Sequence, residues 1–189
     1  QITRSKSQIN SKFQIQNSKI FILAWTTTPW TLPGNVALAV GGKITYVIFR
    51  FMNSDFRFTN EDSGDQKSKI KNHKSEFYIV AKDLLLKITD KYEIVQEIEG
   101  NDLVGLEYKP LFDIPELQSE TSYKIYDADF VSTEEGTGVV HTAVMYGEDD
   151  YELGTKIGLP KIHTVDEQGK FIGVSKELDG KYVKSKETE

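Results

Sequence analysis

The sequence contains no cysteine, which excludes disulfide bonds, thiolate metal sites and a cysteine nucleophile, and fits a reducing cytosol. Histidine is almost as scarce: three residues, His73, His141 and His163, stand too far apart for metal-ligand spacing. Positive charge is in deficit. There are 23 Lys and Arg against 29 Asp and Glu, giving a net charge of -6 and a pI near 5.2. A stand-alone nucleic-acid binder carries the opposite, a broad basic footprint, so any RNA contact here must be local or assisted from elsewhere. No apolar run approaches the roughly 20 residues of a membrane-spanning helix, and the polar start lacks a signal-peptide hydrophobic region. A soluble, cytoplasmic, monomeric chain is the expectation.

What the chain does have is a 38% hydrophobic and 11% aromatic content over 189 residues, enough for one domain with appendages. Residues 1–18 read as a polar leader and 186–189 as a tail, leaving a domain over 19–185. Ile20 to Trp25 is an apolar run of strand length that stops at Thr26-Thr27-Thr28, and reads as a buried strand. Pro29, Pro33 and Gly34 force a loop, after which Val36–Val40 and Thr45–Phe51 predict two more strands. Residues 53–75 turn to Asn, Asp, Ser, Lys and Gly and read as a polar insertion. Phe77–Ala81 is strand-like, Lys82–Thr89 a short helix and Tyr92–Glu99 a strand that Gly100 closes. Tyr123–Val131 and Gly138–Ala143 predict further strands, and Gly147–Ile157 a helix stopped by Gly158 and Pro160. Many strands, a few short helices and no βαβ alternation predict an α+β domain built round a β-barrel.

Three segments carry candidate chemistry. In Trp25-Thr26-Thr27-Thr28-Pro29-Trp30-Thr31-Leu32-Pro33-Gly34-Asn35, four hydroxyls and an amide cluster on a stiff loop that can hold a water and an ester. The ordinary alternative is a turn whose hydroxyls satisfy loose backbone groups while the tryptophans pack the core. In Glu135-Gly136-Thr137-Gly138-Val139-Val140-His141-Thr142-Ala143, glycines permit close backbone approach and a strand delivers His141 near its end. A lone histidine there is commonly structural, and Gly-Thr-Gly is too short for a nucleotide loop. In Gly147-Glu148-Asp149-Asp150-Tyr151-Glu152, carboxylates open a helix, where capping is their usual task. A carboxylate released from capping suits a substrate ammonium.

Taken in order, these segments resemble the isoleucyl-tRNA synthetase editing (CP1) domain, within the class I editing domains for valine, isoleucine and leucine. Trp25–Asn35 is similar to that family's threonine-rich motif; the valyl and leucyl relatives carry an arginine at the position of Thr28 and lack Trp30. Gly100–Phe112, Gly136–Asp150, Gly158–Pro160 and Val165–Phe171 extend the resemblance over roughly residues 20 to 185, with Val144-Met145 where the family usually has Pro-Ala. Neither the HIGH nor the KMSKS signature of class I aminoacylation occurs, and no ATP site is visible.

The resemblance implies a substrate, the 3′ end of isoleucine tRNA carrying valine, and a reaction, hydrolysis of its ester within a larger synthetase. A missing methylene is worth only ~1–3 kcal/mol, a discrimination for which this synthetase is the standard example, so a second hydrolytic site is needed. By the same resemblance, Asp150 holds the α-ammonium and Thr26, Thr27 and Thr28 line the ester and water. His141 lies near the amino-acid side chain, as steric sieve or proton carrier, while Trp30, Asn35 and Gly138 shape the pocket or meet the terminal adenosine. No metal or cofactor is implied, and the nucleophile is most simply a positioned water. A noncatalytic module that only grips the tRNA end is the rival from another class.

Overall fold

The run Thr45–Phe51 is β-branched or aromatic at every position but Arg50, and it becomes β3, an interior strand whose Tyr46, Val47, Ile48 and Phe49 are wholly buried. The computed structural model describes residues 19–52 and 76–185. The leader at 1–18, the insertion at 53–75 and the tail at 186–189 lie outside the described residues.

Two sheets carry the fold. In the first, β1 (Lys19–Ile22) pairs in parallel with β4 (Glu76–Ala81), which pairs antiparallel with β3, followed by β5 (Tyr92–Glu99) at the edge. A bulge between Ile48 and Phe49 shifts the β3–β5 register. In the second sheet, β2 (Ala37–Val40) lies between β6 (Lys124–Asp127), in parallel, and β7 (Val139–Thr142), antiparallel.

β2 explains its own sequence. Leu38 and Val40 enter the core shared with β3 and β4, whereas Ala37 and Ala39 face separate apolar clusters on the other side. A strand covered on both faces has no reason to alternate polar and apolar residues.

Short helical elements join and follow the strands. Residues 82–84 form a single 3-10 turn leading into α1 (Leu85–Ile88), as the helix expected over 82–89. Gly100 does not close β5 but opens α2 (Gly100–Leu103), whose start is held by a reciprocal Glu99–Asp102 capping box. The acidic helix is α3 (Glu148–Ile157), ended by Gly158 in the left-handed conformation. Leu153 of α3 packs under Ala39, and Gly154 leaves Val144 room: a methyl there would come within 2.6 Å of Val144 Cγ2.

Three expectations need correction. Among the described residues the sheets do not form a closed barrel; two ladders meet at a seam. A bridge between Trp25 and Val140, with the Ala81 amide donating to Thr137 O at 2.9 Å, stitches them there. The strand expected over 123–131 is only Lys124–Asp127. Tyr123 has φ 58, which breaks the extended chain before it, and the Val131 amide turns back to Ala128 O after it. The apolar run 20–25 is also not wholly buried: Ile20 is, but Trp25 is 62% exposed.

Candidate active site

The seam brings the threonine loop onto the strand that carries His141. A bend at Thr27, closed by the Thr28 amide donating to Thr26 Oγ1 at 3.0 Å, brings the Thr26 and Thr28 hydroxyls together and leaves Thr27 exposed. Thr28 then precedes a 3-10 helix, Pro29–Gly34, with proline in its first turn, where a fixed φ suits the helix start. That turn swings Thr31 round to the same side. Thr26 Oγ1 lies 3.3 Å from Thr28 Oγ1, and Thr28 Oγ1 lies 3.4 Å from Thr31 Oγ1.

His141 closes the cluster. Its Nε2 is 3.2 Å from Thr31 Oγ1 and 3.3 Å from Thr26 Oγ1, across 110 and 115 residues of sequence. The tautomer follows from counting protons. The single Thr31 hydroxyl proton goes to Thr28 O at 2.8 Å, so the contact with Nε2 requires Nε2 to donate. Nδ1 is then the unprotonated nitrogen; it is buried without a partner, where an N–H lacking an acceptor would cost still more. Burial also pushes the imidazole pKa below its ordinary 6.5. His141 is therefore a neutral donor whose lone pair points away from the hydroxyls, an arrangement that fixes Thr31 and Thr26 rather than one that takes a proton from water.

Asp150 lies in the first turn of α3, yet it caps nothing: Gly147 is the N-cap residue and receives no side-chain bond. Asp150 Oδ2 instead accepts from the Ala143 amide at 3.1 Å. Ala143 is two residues beyond His141, about 7 Å at strand rise. The second oxygen has no protein partner among the described residues. Burial raises the Asp150 pKa above the ordinary 3.8, opposed by the Ala143 amide and reinforced by Asp149. A half-buried carboxylate with one oxygen free is suited to an ammonium.

The remaining predicted residues frame this group. Trp30 packs edge-on against Tyr146, ring centroids 5.4 Å apart, and Tyr146 accepts from the Thr164 amide at 2.6 Å. Asn35 is occupied by the framework, donating to Ala37 O at 2.8 Å and accepting from Tyr108 Oη. Gly138, with φ 70, starts β7 hard against β4: a methyl there would stand 2.4 Å from Ala81 Cβ. Its carbonyl accepts from Tyr46 Oη at 2.6 Å. The structure thus gathers Thr26, Thr28 and His141, sets Asp150 beside their strand, and leaves Thr27, Asn35 and Gly138 outside the hydroxyl cluster. Sequence reasoning counted Thr31 among the loop's four hydroxyls but gave it no role in the site. The signal was its spacing of three from Thr28 within a proline-started helical turn. Val144 also proves to be core, packed with Val36, Ile114, Leu117 and Leu159.

Among the described residues no group of three or more His, Asp or Glu could hold a metal ion, and no helix is long and apolar enough to cross a membrane. A surface concavity of about 480 Å³ is lined by residues such as Lys109, Leu111 and Tyr123 and includes none of the hydroxyl cluster.

With this geometry in hand, the chain aligns with the isoleucine–tRNA ligase of Clostridium tetani at 41% identity over 177 residues, 92% of the chain. It aligns with that of Cytophaga hutchinsonii at 40% over 200 residues, 97% of the chain. The chain belongs with the isoleucine–tRNA ligases. It spans about 15% and 17% of the length of these two curated relatives. No family model matches. Among solved structures, the fold of this isoleucine–tRNA ligase relative is that of leucyl-tRNA synthetase editing domains. A structure described as GlLeuRS-CP1 gives a TM-score of 0.59 at 19% identity, covering 82% of this chain and 53% of that one. The cytosolic leucyl-tRNA synthetase editing domain of P. falciparum gives 0.54 at 20% identity, covering 82% and 55%.

Proposed function

We propose that this chain is an editing hydrolase: it cleaves the ester joining valine to the 3′ end of isoleucine tRNA, releasing free valine and intact tRNA. The observation that carries the reading is the pairing of a hydroxyl cluster, Thr26, Thr28 and Thr31 around neutral His141, with Asp150, a carboxylate that has one oxygen unengaged. The α-ammonium of an aminoacyl ester pairs with Asp150, which fixes the carbonyl in front of the threonines. A water held by the hydroxyls attacks that carbon, and Thr28 stabilises the charge that develops on the oxygen. The vicinal ribose hydroxyl of the tRNA relays the water's proton to the departing ribose oxygen as the acyl C–O bond breaks, giving free valine and an intact 3′ end. His141 limits the side-chain space, so that valine fits and isoleucine does not. The reading requires no metal or cofactor and one copy of the chain, in the cytoplasm, as part of a larger synthetase.

The test is deacylation of valine-charged and isoleucine-charged isoleucine tRNA by the chain and by Asp150→Ala. Loss of valine only, reduced by about 100-fold or more in the variant, is expected for a charge-assisted anchor of about 3 kcal/mol. Equal hydrolysis by the variant sinks the ammonium role. Tight binding of the tRNA end with no turnover favours the noncatalytic gripping module.

A further inference from the structure

The two halves of the candidate site come from different parts of the chain. The hydroxyls lie on the loop that runs from Thr26 into the 3-10 helix Pro29–Gly34, while Asp150 lies on α3 and is tied back to Ala143. Thr31 and His141 join the halves at the hydroxyl end, with 3.2 Å between Oγ1 and Nε2. On the Asp150 side the loop is met by Tyr146, in the turn between β7 and α3. The Tyr146 amide donates to Ala143 O at 2.9 Å, and the Ala143 amide in turn holds Asp150 Oδ2. The backbone that places Tyr146 therefore also places the carboxylate. The ring reaches the loop at two points. It packs edge-on against Trp30, the residue before Thr31, and it lies against Gly34, where an added methyl would stand 3.0 Å from Tyr146 Cε2 and 3.3 Å from Thr164 Oγ1.

The far end of the ring is fixed from a third part of the chain. Tyr146 Oη accepts from the Thr164 amide at 2.6 Å and lies 3.0 Å from Thr164 Oγ1. Thr164 is 1% exposed and its carbonyl accepts from the Ile172 amide, so this anchor is itself held in the fold. Ring packing alone would be met by phenylalanine. What the hydroxyl adds is a fixed ring position, since two hydrogen bonds to one buried residue rigidify it. In an aminoacyl ester the α-ammonium nitrogen and the carbonyl carbon are separated by a single carbon. The gap between Asp150 and the threonines therefore has little slack, because a misplacement of about 1 Å costs about 100-fold in rate. Resting on the hydrolase reading above, we infer that Tyr146 is a positioning residue whose Thr164-bound hydroxyl sets the spacing between the ammonium anchor and the hydroxyl cluster. It touches no reacting atom, and it acts on the geometry of attack rather than on affinity.

The experiment compares Tyr146→Phe, Thr164→Ser and Tyr126→Phe with wild type in deacylation of valine-charged isoleucine tRNA, after thermal melts establish that each is folded at the assay temperature. Tyr126→Phe is the stability control: it loses a tyrosine hydroxyl bond to Thr121 O, of 2.7 Å, on the edge strand of the second sheet opposite β7. Tyr146→Phe is expected to lower kcat about 10- to 100-fold with KM within about threefold. Thr164→Ser, which keeps both the amide and the hydroxyl, and Tyr126→Phe should hold kcat within about threefold of wild type. An unchanged kcat in Tyr146→Phe, or a matching fall in Tyr126→Phe, overturns the assignment. A second readout needs no hydrolysis. With Trp25→Phe as background, Trp30 is the sole tryptophan of the chain, and quenching of its emission by acrylamide is expected to rise on adding Tyr146→Phe but not Thr164→Ser. Equal quenching in all three overturns the hold on the loop. If the wild type hydrolyses no ester, the hydrolase reading falls, and the quenching alone decides whether the Tyr146 hydroxyl fixes the loop.

Discussion

Asp150 keeps its charge against the pull of its surroundings. Because burial raises its folded pKa above 3.8, the folded state binds its proton more tightly than the unfolded state does. Its contribution to stability is therefore greatest at low pH and is lost as pH rises through the folded pKa. At pH 7 the carboxylate is a net burden on the fold. Asp150→Asn keeps an oxygen for the Ala143 amide and removes the charge, so its Tm at pH 7 should equal or exceed that of wild type while deacylation falls about 100-fold or more. A lower Tm together with retained activity would reverse the assignment. His141 has the opposite sign. Its folded pKa lies below 6.5, so stability is full above pH 6.5 and declines as pH falls from there through the folded value. His141→Ala should flatten that acid-side decline in a series of melts. It should also raise hydrolysis of isoleucine-charged relative to valine-charged tRNA, by about tenfold on the scale of one methylene. An unchanged ratio would leave His141 as framework for the threonines alone.

At the scale of elements, the seam depends on one side chain. Tyr46 Oη accepts from the Gly41 amide at 3.1 Å and donates to Gly138 O at 2.6 Å, tying β3 to the end of the β2–β7 pair where Val40 meets Val139. Burial lifts its pKa to about 12, so it stays protonated and able to donate. Tyr46→Phe leaves a buried amide and a buried carbonyl unsatisfied and should cost about 1–3 kcal/mol in denaturant unfolding. β3 was legible from the sequence because β-branched and aromatic residues nearly fill it, β5 because polar and apolar residues alternate along it, and α3 because acidic residues open it and Gly158 ends it. The missing barrel closure was not legible, since the bridge at Trp25–Val140 joins segments whose pairing no local pattern encodes. Tyr123 misled for a related reason: a tyrosine in the left-handed region is stabilised by its tertiary setting, with its amide bonded to Val36 O, against its own preference. Within the site, Thr26, Thr28, His141 and Asp150 could be named from residue type and resemblance. Thr31 emerged only once a helical turn placed it, and Asn35 looked available because its partner Tyr108 is remote in sequence.

For the molecule as a whole, the charge of -6 sets how substrate is held. A basic binder with many phosphate contacts loses about 10³- to 10⁵-fold in affinity between 50 and 200 mM salt. A net acidic chain that holds its substrate by an ammonium pair and few phosphate contacts should lose only about tenfold or less, measured by titration of an acceptor-stem hairpin across that range. The separation of 110 to 115 residues between His141 and its threonines also has a temporal meaning. Contacts that close such long loops form late, after local turns and hairpins. During synthesis or refolding, the cluster of His141 and its threonines is then among the last parts of the site to assemble, so on the proposed hydrolase reading a partly built chain, however collapsed, does not yet act on an aminoacyl ester.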